Sequence, residues 1–122
     1  MNLIYIRLPK NSKVVILEDS PMRIAWFQKR IPDLIVCKTV LEFKQYFTSG
    51  RGLCDFVFWD HDLGTKENGE DAAKWFGIKF GNQANDYGVI HSWNSEGAHR
   101  MQKLIPGTKH IPFGQFEVET EK

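Results

Sequence analysis

The chain has 122 residues, 42% hydrophobic and 25% charged, enough for one globular domain that closes a core. Sixteen Lys and Arg against fifteen Asp and Glu leave a net charge of +1, which argues against strong non-specific binding of DNA or an anionic membrane through bulk charge. An aromatic content of 13%, including four Trp, excludes a solvated, disordered chain.

In chain order, residues 2–7 form a candidate edge strand that pairs near the C-terminal one. Lys13-Val-Val-Ile-Leu17 is a short β-branched run that predicts a buried strand ending at Glu18-Asp19. Ser20 offers an N-cap oxygen and Pro21 suits the first helical position, where no N–H is needed. From Met22 to Ile31 the residues Ile24, Phe27 and Ile31 recur on one helix face, and Pro32 closes it. Leu34 to Cys37 is a second strand. Thr39 and Glu42 form a capping box before Val40 to Phe47, and Gly50 lies where that helix stops.

Phe56 to Trp59 predicts a third strand, running directly into Asp60-His61-Asp62-Leu63-Gly64. Asn68 caps a third helix carrying Ala72, Phe76 and Phe80. A fourth strand, Tyr87 to His91, ends at His91-Ser92-Trp93-Asn94, and Ser95 caps a helix with Ala98, Met101 and Ile105 on one face. Ile111 to Val118 is a last strand, interrupted by Pro112 and Gly114. Strands each followed by a helix give an α/β domain with a parallel sheet and right-handed crossovers. No repeat or linker divides the chain, so it reads as one domain over residues 1–122. No apolar run approaches the ~20 residues of a membrane span, and MNLIYIRLPK lacks the pattern of a signal peptide. Cys37 and Cys54, without CxxC or Cys/His spacing, read as buried thiols of a reducing compartment, and the expected location is the cytoplasm.

A parallel sheet carries its chemistry at the carboxyl ends of its strands. Glu18, Asp19, Asp60, Asp62, His91, Ser92 and Asn94 all follow predicted strand ends, and scattered polar residues would not all fall at one edge. Carboxylates from two adjacent loops repel one another unless protonated or neutralised by a cation. A hard divalent ion, Mg²⁺ or Mn²⁺, takes oxygen ligands and leaves room for a phosphate. Glu18, Asp19 and Asp60 are therefore metal candidates, with Asp62 a fourth. Glu18 and Asp62 also have a plainer reading as helix caps or acceptors for loop amides.

His61 and His91 go beyond what a simple Mg²⁺ site needs. An imidazole can deliver a proton to an oxyanion leaving group at neutral pH, which makes both catalytic candidates beside Asp60. The Ser92 hydroxyl and Asn94 amide are candidates for binding non-bridging phosphate oxygens. His99 and His110 have no carboxylate neighbours in sequence and read as solvated. Trp26, Phe27, Trp75 and Phe76 fall on helix faces and read as core. Gly64 and Gly69 flank a polar loop as turn residues, not as a GxGxxG phosphate cradle. Asp60-x-Asp62 is like the acid pair of haloacid-dehalogenase-like phosphatases, but it follows the third strand and an earlier acidic pair, an order that fits them poorly.

Glu18-Asp19 after the first core strand, Asp60 after the third and Ser92 after the fourth resemble the receiver domain of two-component signalling, over roughly residues 13 to 105. The resemblance implies a three-layer flavodoxin-like sandwich around a central parallel five-stranded sheet. It further implies Mg²⁺ held by the acid pair and Asp60, a metal site completed by the backbone of Asp62, and a phosphoryl group accepted on Asp60. Two departures stand out. Receivers place a Lys next to a Pro at the end of the fifth strand, and here the nearest is Lys109, three residues before Pro112. Only 17 residues follow Ile105, room for a strand but not for the usual fifth helix as well.

Asp60-His61-Asp62-Leu63-Gly64, His91-Ser92-x-Asn94 and Gly97 to Met101 are more closely similar to cyclic-phosphate processing receiver domains. That similarity implies metal-dependent opening of a cyclic phosphate on an RNA end or a nucleotide. The rivals are a phosphoacceptor domain acting through Asp60 and a non-catalytic nucleotide- or protein-binding module. Nothing in the sequence sets an oligomeric state.

Overall fold

The computed structural model describes residues 3–50, 54–81 and 88–122. Its elements, in chain order, are β1 (Ile4–Leu8), β2 (Val14–Leu17), α1 (Pro21–Arg30), β3 (Ile35–Cys37), α2 (Val40–Thr48), β4 (Phe56–Trp59), α3 (Gly69–Phe80), β5 (Gly88–Ile90), α4 (Ser95–Leu104), β6 (Lys109–His110) and β7 (Phe116–Thr120). Asn2 of the predicted edge strand and Tyr87 of the predicted fourth strand lie outside the described residues. No described helix is long and apolar enough to cross a membrane.

Five strands form one parallel sheet in the order β3-β2-β4-β5-β6. Alternation along β2 and β4 splits the core in two. Val15, Leu17, Val57 and Trp59 face α2, α3 and α4, where Phe43, Phe76 and Met101 are buried. Val14, Ile16 and Phe58 face α1 with Phe27 and Ile31. Each fully buried aromatic contributes about 2–3 kcal/mol of transfer free energy. The three-layer α/β arrangement expected from the sequence is therefore present.

The C-terminal region departs from expectation. No single strand runs from Ile111 to Val118. Pairing with β5 begins earlier, at Lys109, and continues through Ile111 N–H to Ile90 O and Phe113 N–H to His91 O. A turn follows, closed by Gln115 N–H to Pro112 O at 3.0 Å. Gly114, third in that turn, has φ +96°, which a residue with a Cβ adopts only with strain. The chain then leaves the central sheet as β7, which pairs in parallel with β1 as a separate two-stranded ribbon. The predicted edge strand thus pairs with the C-terminal one but does not extend the central sheet. Leu8, Phe116 and Val118 bury the ribbon against the α1 face of the core. No helix follows α4 among the described residues, and this ribbon covers sheet that α1 alone would leave open.

The helix caps agree with the sequence at Ser20 and Asn68, the latter in a full capping box with Asp71. Thr39 Oγ1 accepts from Glu42 N–H, but the Glu42 carboxylate reaches back to Lys38 N–H rather than to Thr39. Asn94, not Ser95, caps α4: its Oδ1 accepts from Gly97 N–H at 2.9 Å and Ser95 is the first helical residue.

Candidate functional site

β2, β4 and β5 end in register, with Leu17 beside Trp59 and Trp59 beside Ile90. The ladder continues one residue further, through Glu18 N–H to Cys37 O, Asp60 N–H to Leu17 O and His91 N–H to Trp59 O. Glu18, Asp60 and His91 therefore stand in a row, one per strand. Leu17, Trp59 and Ile90 point to the α2–α4 side, so by alternation the next residues point to the α1 side. His91 accordingly packs 5.4 Å from the Phe27 ring, and Arg23 on α1 lies 3.5 Å from Glu18.

All three side chains of the row are buried, and one ligand atom from each lies within 4.8 Å of the others. His91 Nε2 donates to Glu18 Oε1 at 2.9 Å, since a carboxylate only accepts. Its Nδ1 is buried, on a ring packed beside Phe27 and Phe58, with no hydrogen-bond partner among the described residues. The other Glu18 oxygen accepts from the amides of Asp19 and Ser20. Burial opposes ionisation of Glu18, but the hydrogen bond and charge of His91 and the Ser20 amide outweigh it and lower its pKa. Asp60 goes the opposite way, pushed up to about 7 by burial and then by the charge of Glu18. Burial lowers the pKa of His91 despite Glu18. The two crowded carboxyls, Glu18 and Asp60, suit a divalent cation, which would offset the repulsion that otherwise keeps a proton on Asp60.

His61, one residue beyond Asp60, turns to the opposite side, toward the N-termini of α3 and α4. Its Nδ1 lies 2.8 Å from Asp62 Oδ1 and its Nε2 2.8 Å from Glu70 Oε1. Arg100 Nη2 holds Glu70 at 2.7 Å. Burial disfavours the imidazolium, but the two carboxylates prevail and raise the His61 pKa. Gly69 and Gly97, in the first turns of α3 and α4, make this packing possible. A Cβ on Gly69 would strike the Asp60 carbonyl oxygen, and one on Gly97 would strike the His61 ring. Gly69 is thus a buried helix residue and not the turn residue expected, whereas Gly64 is a turn residue at φ +63°.

Glu18, Asp19, Asp60, Asp62, Ser92 and Asn94 line one cleft of about 350 Å³, joined by Arg23, Met22 and Trp93. Asp19 and Asp62 are exposed at its rim, outside the tight row. Ser92 is buried, and its Oγ accepts from Asn94 N–H at 3.0 Å. Neither His61 nor His91 lines the cleft; each stands behind a carboxylate that does. His110 is not solvated as expected: it is half-buried, and Nε2 donates to Ser92 O at 2.7 Å. Lys109 is exposed on β6 and does not line the cleft; among the described residues the cation there is Arg23. A larger cleft, about 860 Å³, lies at the amino end of the sheet and contains none of the strand-end residues.

Arg23, Glu70, Arg100 and Trp93 are not among the site candidates the sequence points to. Arg23 and Glu70 carried a usable signal, since each sits in the first turn of a helix that follows a candidate strand end. Arg100 carried none, because only the packing of α4 beside α3 brings it to Glu70.

Residues 13–106 match the family model described as the cyclic-phosphate processing receiver domain. No curated protein matches. Among solved structures, the phosphorylated cyanobacterial phytochrome response regulator RcpA is similar at TM-score 0.66 and 13% identity, over 82% of this chain and 79% of that one. The Mn²⁺-bound form of response regulator Rcp1 is similar at TM-score 0.65 and 13% identity, over 82% and 80%. The response regulator domain of Thermotoga maritima CheB is similar at TM-score 0.60 and 18% identity, over 94% and 81%. At these identities the structures speak to the receiver fold alone, and with the sheet order, the strand-end carboxylates and the matched residues they lead to one conclusion: this chain belongs to the cyclic-phosphate processing receiver domain family.

Proposed function

We propose that the chain hydrolyses a cyclic phosphodiester on a nucleotide or an RNA end, with Mg²⁺ or Mn²⁺ held by Asp19, Asp60 and Glu18. The observation that carries the reading is the pair of buried imidazoles, each hydrogen-bonded to a carboxylate that lines the same cleft. A phosphoacceptor needs no such pair. The bound ion supplies neutralisation of the phosphate and polarisation of its P–O bonds.

In the reaction a water oxygen bonds to phosphorus in line, one ribose P–O bond breaks and the freed ribose oxygen takes a proton; the water keeps one proton on the new P–OH and its other proton replaces the one given up. Asp62, exposed at the rim, is the group that touches that oxygen. Behind it, His61 Nδ1 holds the proton 2.8 Å from Asp62 Oδ1, with the ring fixed from its other side by Glu70. Ser92 and Asn94 line the wall where non-bridging oxygens bind. His91 acts only through Glu18, which makes it a positioning residue.

The test is ³¹P NMR of the protein with Mg²⁺ and a panel of cyclic nucleotides, 2′,3′-cyclic ones included. Conversion of the cyclic resonance to a monoester by wild type but not by Asp60→Asn supports hydrolysis. No conversion of any cyclic nucleotide overturns it.

One observation favours a second reading, phosphoryl transfer to Asp60. The fold relatives are response regulators, one of them phosphorylated, and Asp60 ends the central strand of the sheet. Intact mass after incubation with acetyl phosphate and Mg²⁺ tests it: one added phosphoryl group, lost in Asp60→Asn, is the signature.

A further inference from the structure

Building on the cyclic-phosphate reading, we propose that the rim of the cleft is a nucleobase subsite with the Trp93 indole as its stacking surface. The ligand is then a nucleotide rather than a base-free phosphate ester. The chain has four tryptophans, and three are tied into aromatic clusters. Trp26 lies 5.0 Å from Phe27, Trp59 lies 5.1 Å from Phe43, and Trp75 lies 6.1 Å from Phe80. Trp93 has no ring or cation partner among the described residues and is 57% exposed. It nevertheless lines the cleft whose floor is Glu18 and Asp60.

The backbone on either side of this indole is anchored. On one side Ser92 O is held by His110 Nε2 at 2.7 Å. On the other, Asn94 N–H donates to Ser92 Oγ at 3.0 Å and Asn94 caps α4. On an anchored backbone an indole has only two side-chain torsions left to fix, so it stacks at a low ordering cost. Met22, 76% exposed in the first turn of α1, also lines the cleft and extends its apolar rim.

The cleft therefore offers two kinds of recognition: carboxylates that take a cation and a phosphate, and an apolar aromatic rim. A nucleotide has both matching parts, with a charged phosphate and a flat base. Two exposed side chains are far short of the roughly 800 Å² per partner that a stable protein interface buries. The cleft volume of about 350 Å³ sits within the range of small-molecule sites.

Calorimetry in Mg²⁺ with adenosine 2′,3′-cyclic phosphate and glycerol 1,2-cyclic phosphate tests the subsite. Wild type should bind the nucleotide about 5- to 150-fold more tightly, the range that stacking on one aromatic supports. Trp93→Ala should erase that ratio and Trp93→Phe should keep most of it, with thermal melts confirming that both variants fold. Equal affinity for the two compounds in wild type, or an unchanged ratio in Trp93→Ala, overturns the subsite. The same compounds followed by ³¹P NMR separate the two proposals. A Trp93-dependent ratio without turnover overturns hydrolysis alone, and turnover without the ratio overturns the subsite alone. Absence of binding by either compound overturns both.

Discussion

His91 Nε2 lies 2.9 Å from Glu18 Oε1, with both side chains essentially free of solvent and the other imidazole nitrogen without a hydrogen-bond partner among the described residues. The buried Glu18 carboxylate is held by this imidazole N–H, from a strand two places away in the sheet, together with the Asp19 and Ser20 amides and Arg23 at 3.5 Å. Removing that donor should be costly, because Glu18 would keep its charge with less to stabilise it. His91→Leu is expected to lower stability by about 2–4 kcal/mol in urea unfolding. His91→Gln, which restores an N–H near the same place, should recover most of the loss. Equal midpoints for wild type and His91→Leu would show that the contact contributes nothing.

Asp60 makes metal-free stability depend on pH. Its folded pKa is raised from 3.8 to about 7, so its contribution is fully present below about pH 4 and is lost as pH rises through about 7. The melting temperature of wild type in EDTA should therefore fall between pH 5 and pH 8 relative to that of Asp60→Asn. At pH 8 the variant should be the more stable by on the order of 2 kcal/mol. Mg²⁺ or Mn²⁺ should raise the wild-type value at pH 8 and leave the variant nearly unmoved. Parallel pH curves for the two proteins would refute the account.

Gly97→Ala sets two effects against each other. Alanine favours a helix over glycine by about 1 kcal/mol, yet here the added methyl meets the His61 ring. Overpacking wins when the neighbour cannot move, and His61 is fixed from both ring nitrogens. A net loss of about 1–3 kcal/mol is expected. The test is a chemical-denaturation midpoint, and a stabilised variant would mean that α4 slides freely over His61.

Val57→Asp should abolish the fold. Val57 is fully buried at the centre of β4, between Val15 on β2 and Gly88 on β5. An unpaired carboxylate there costs about 4 kcal/mol or more, against a typical domain stability of about 5–15 kcal/mol. Far-ultraviolet circular dichroism and amide dispersion report the loss directly.

The two cysteines should be inert in the folded protein. Burial pushes both thiols up to about 12, so almost no thiolate is present at pH 8. Labelling with a thiol-reactive disulfide should be slow until urea exposes both groups. Rapid native labelling of either would contradict its burial.

Strand runs, helix faces and most caps were legible in the sequence, because periodicity and capping chemistry are local. The strand-end carboxylates were legible for the same reason: Glu18 and Asp60 directly follow β-branched or aromatic runs. The C-terminal ribbon was not. Whether residues after Gly114 continue the central sheet or leave it depends on a positive-φ turn and on a partner more than a hundred residues away in sequence. Asn94 displaced Ser95 as the α4 cap because both can accept the bond, and only the backbone path out of β5 decides between them.

The sequence alone determined which residue types stand at the carboxyl edge of a parallel sheet, since strand length and alternation set that edge. Tertiary structure decided which of them meet. Register across β2, β4 and β5 aligned Glu18, Asp60 and His91 on one side, and the pleat sent His61 to the other, against Glu70 and Gly97. It also placed both imidazoles behind carboxylates and left Trp93 at the rim without a ring or cation partner among the described residues. Burial and long-range pairing are properties of packed elements, and no single segment of the chain encodes them.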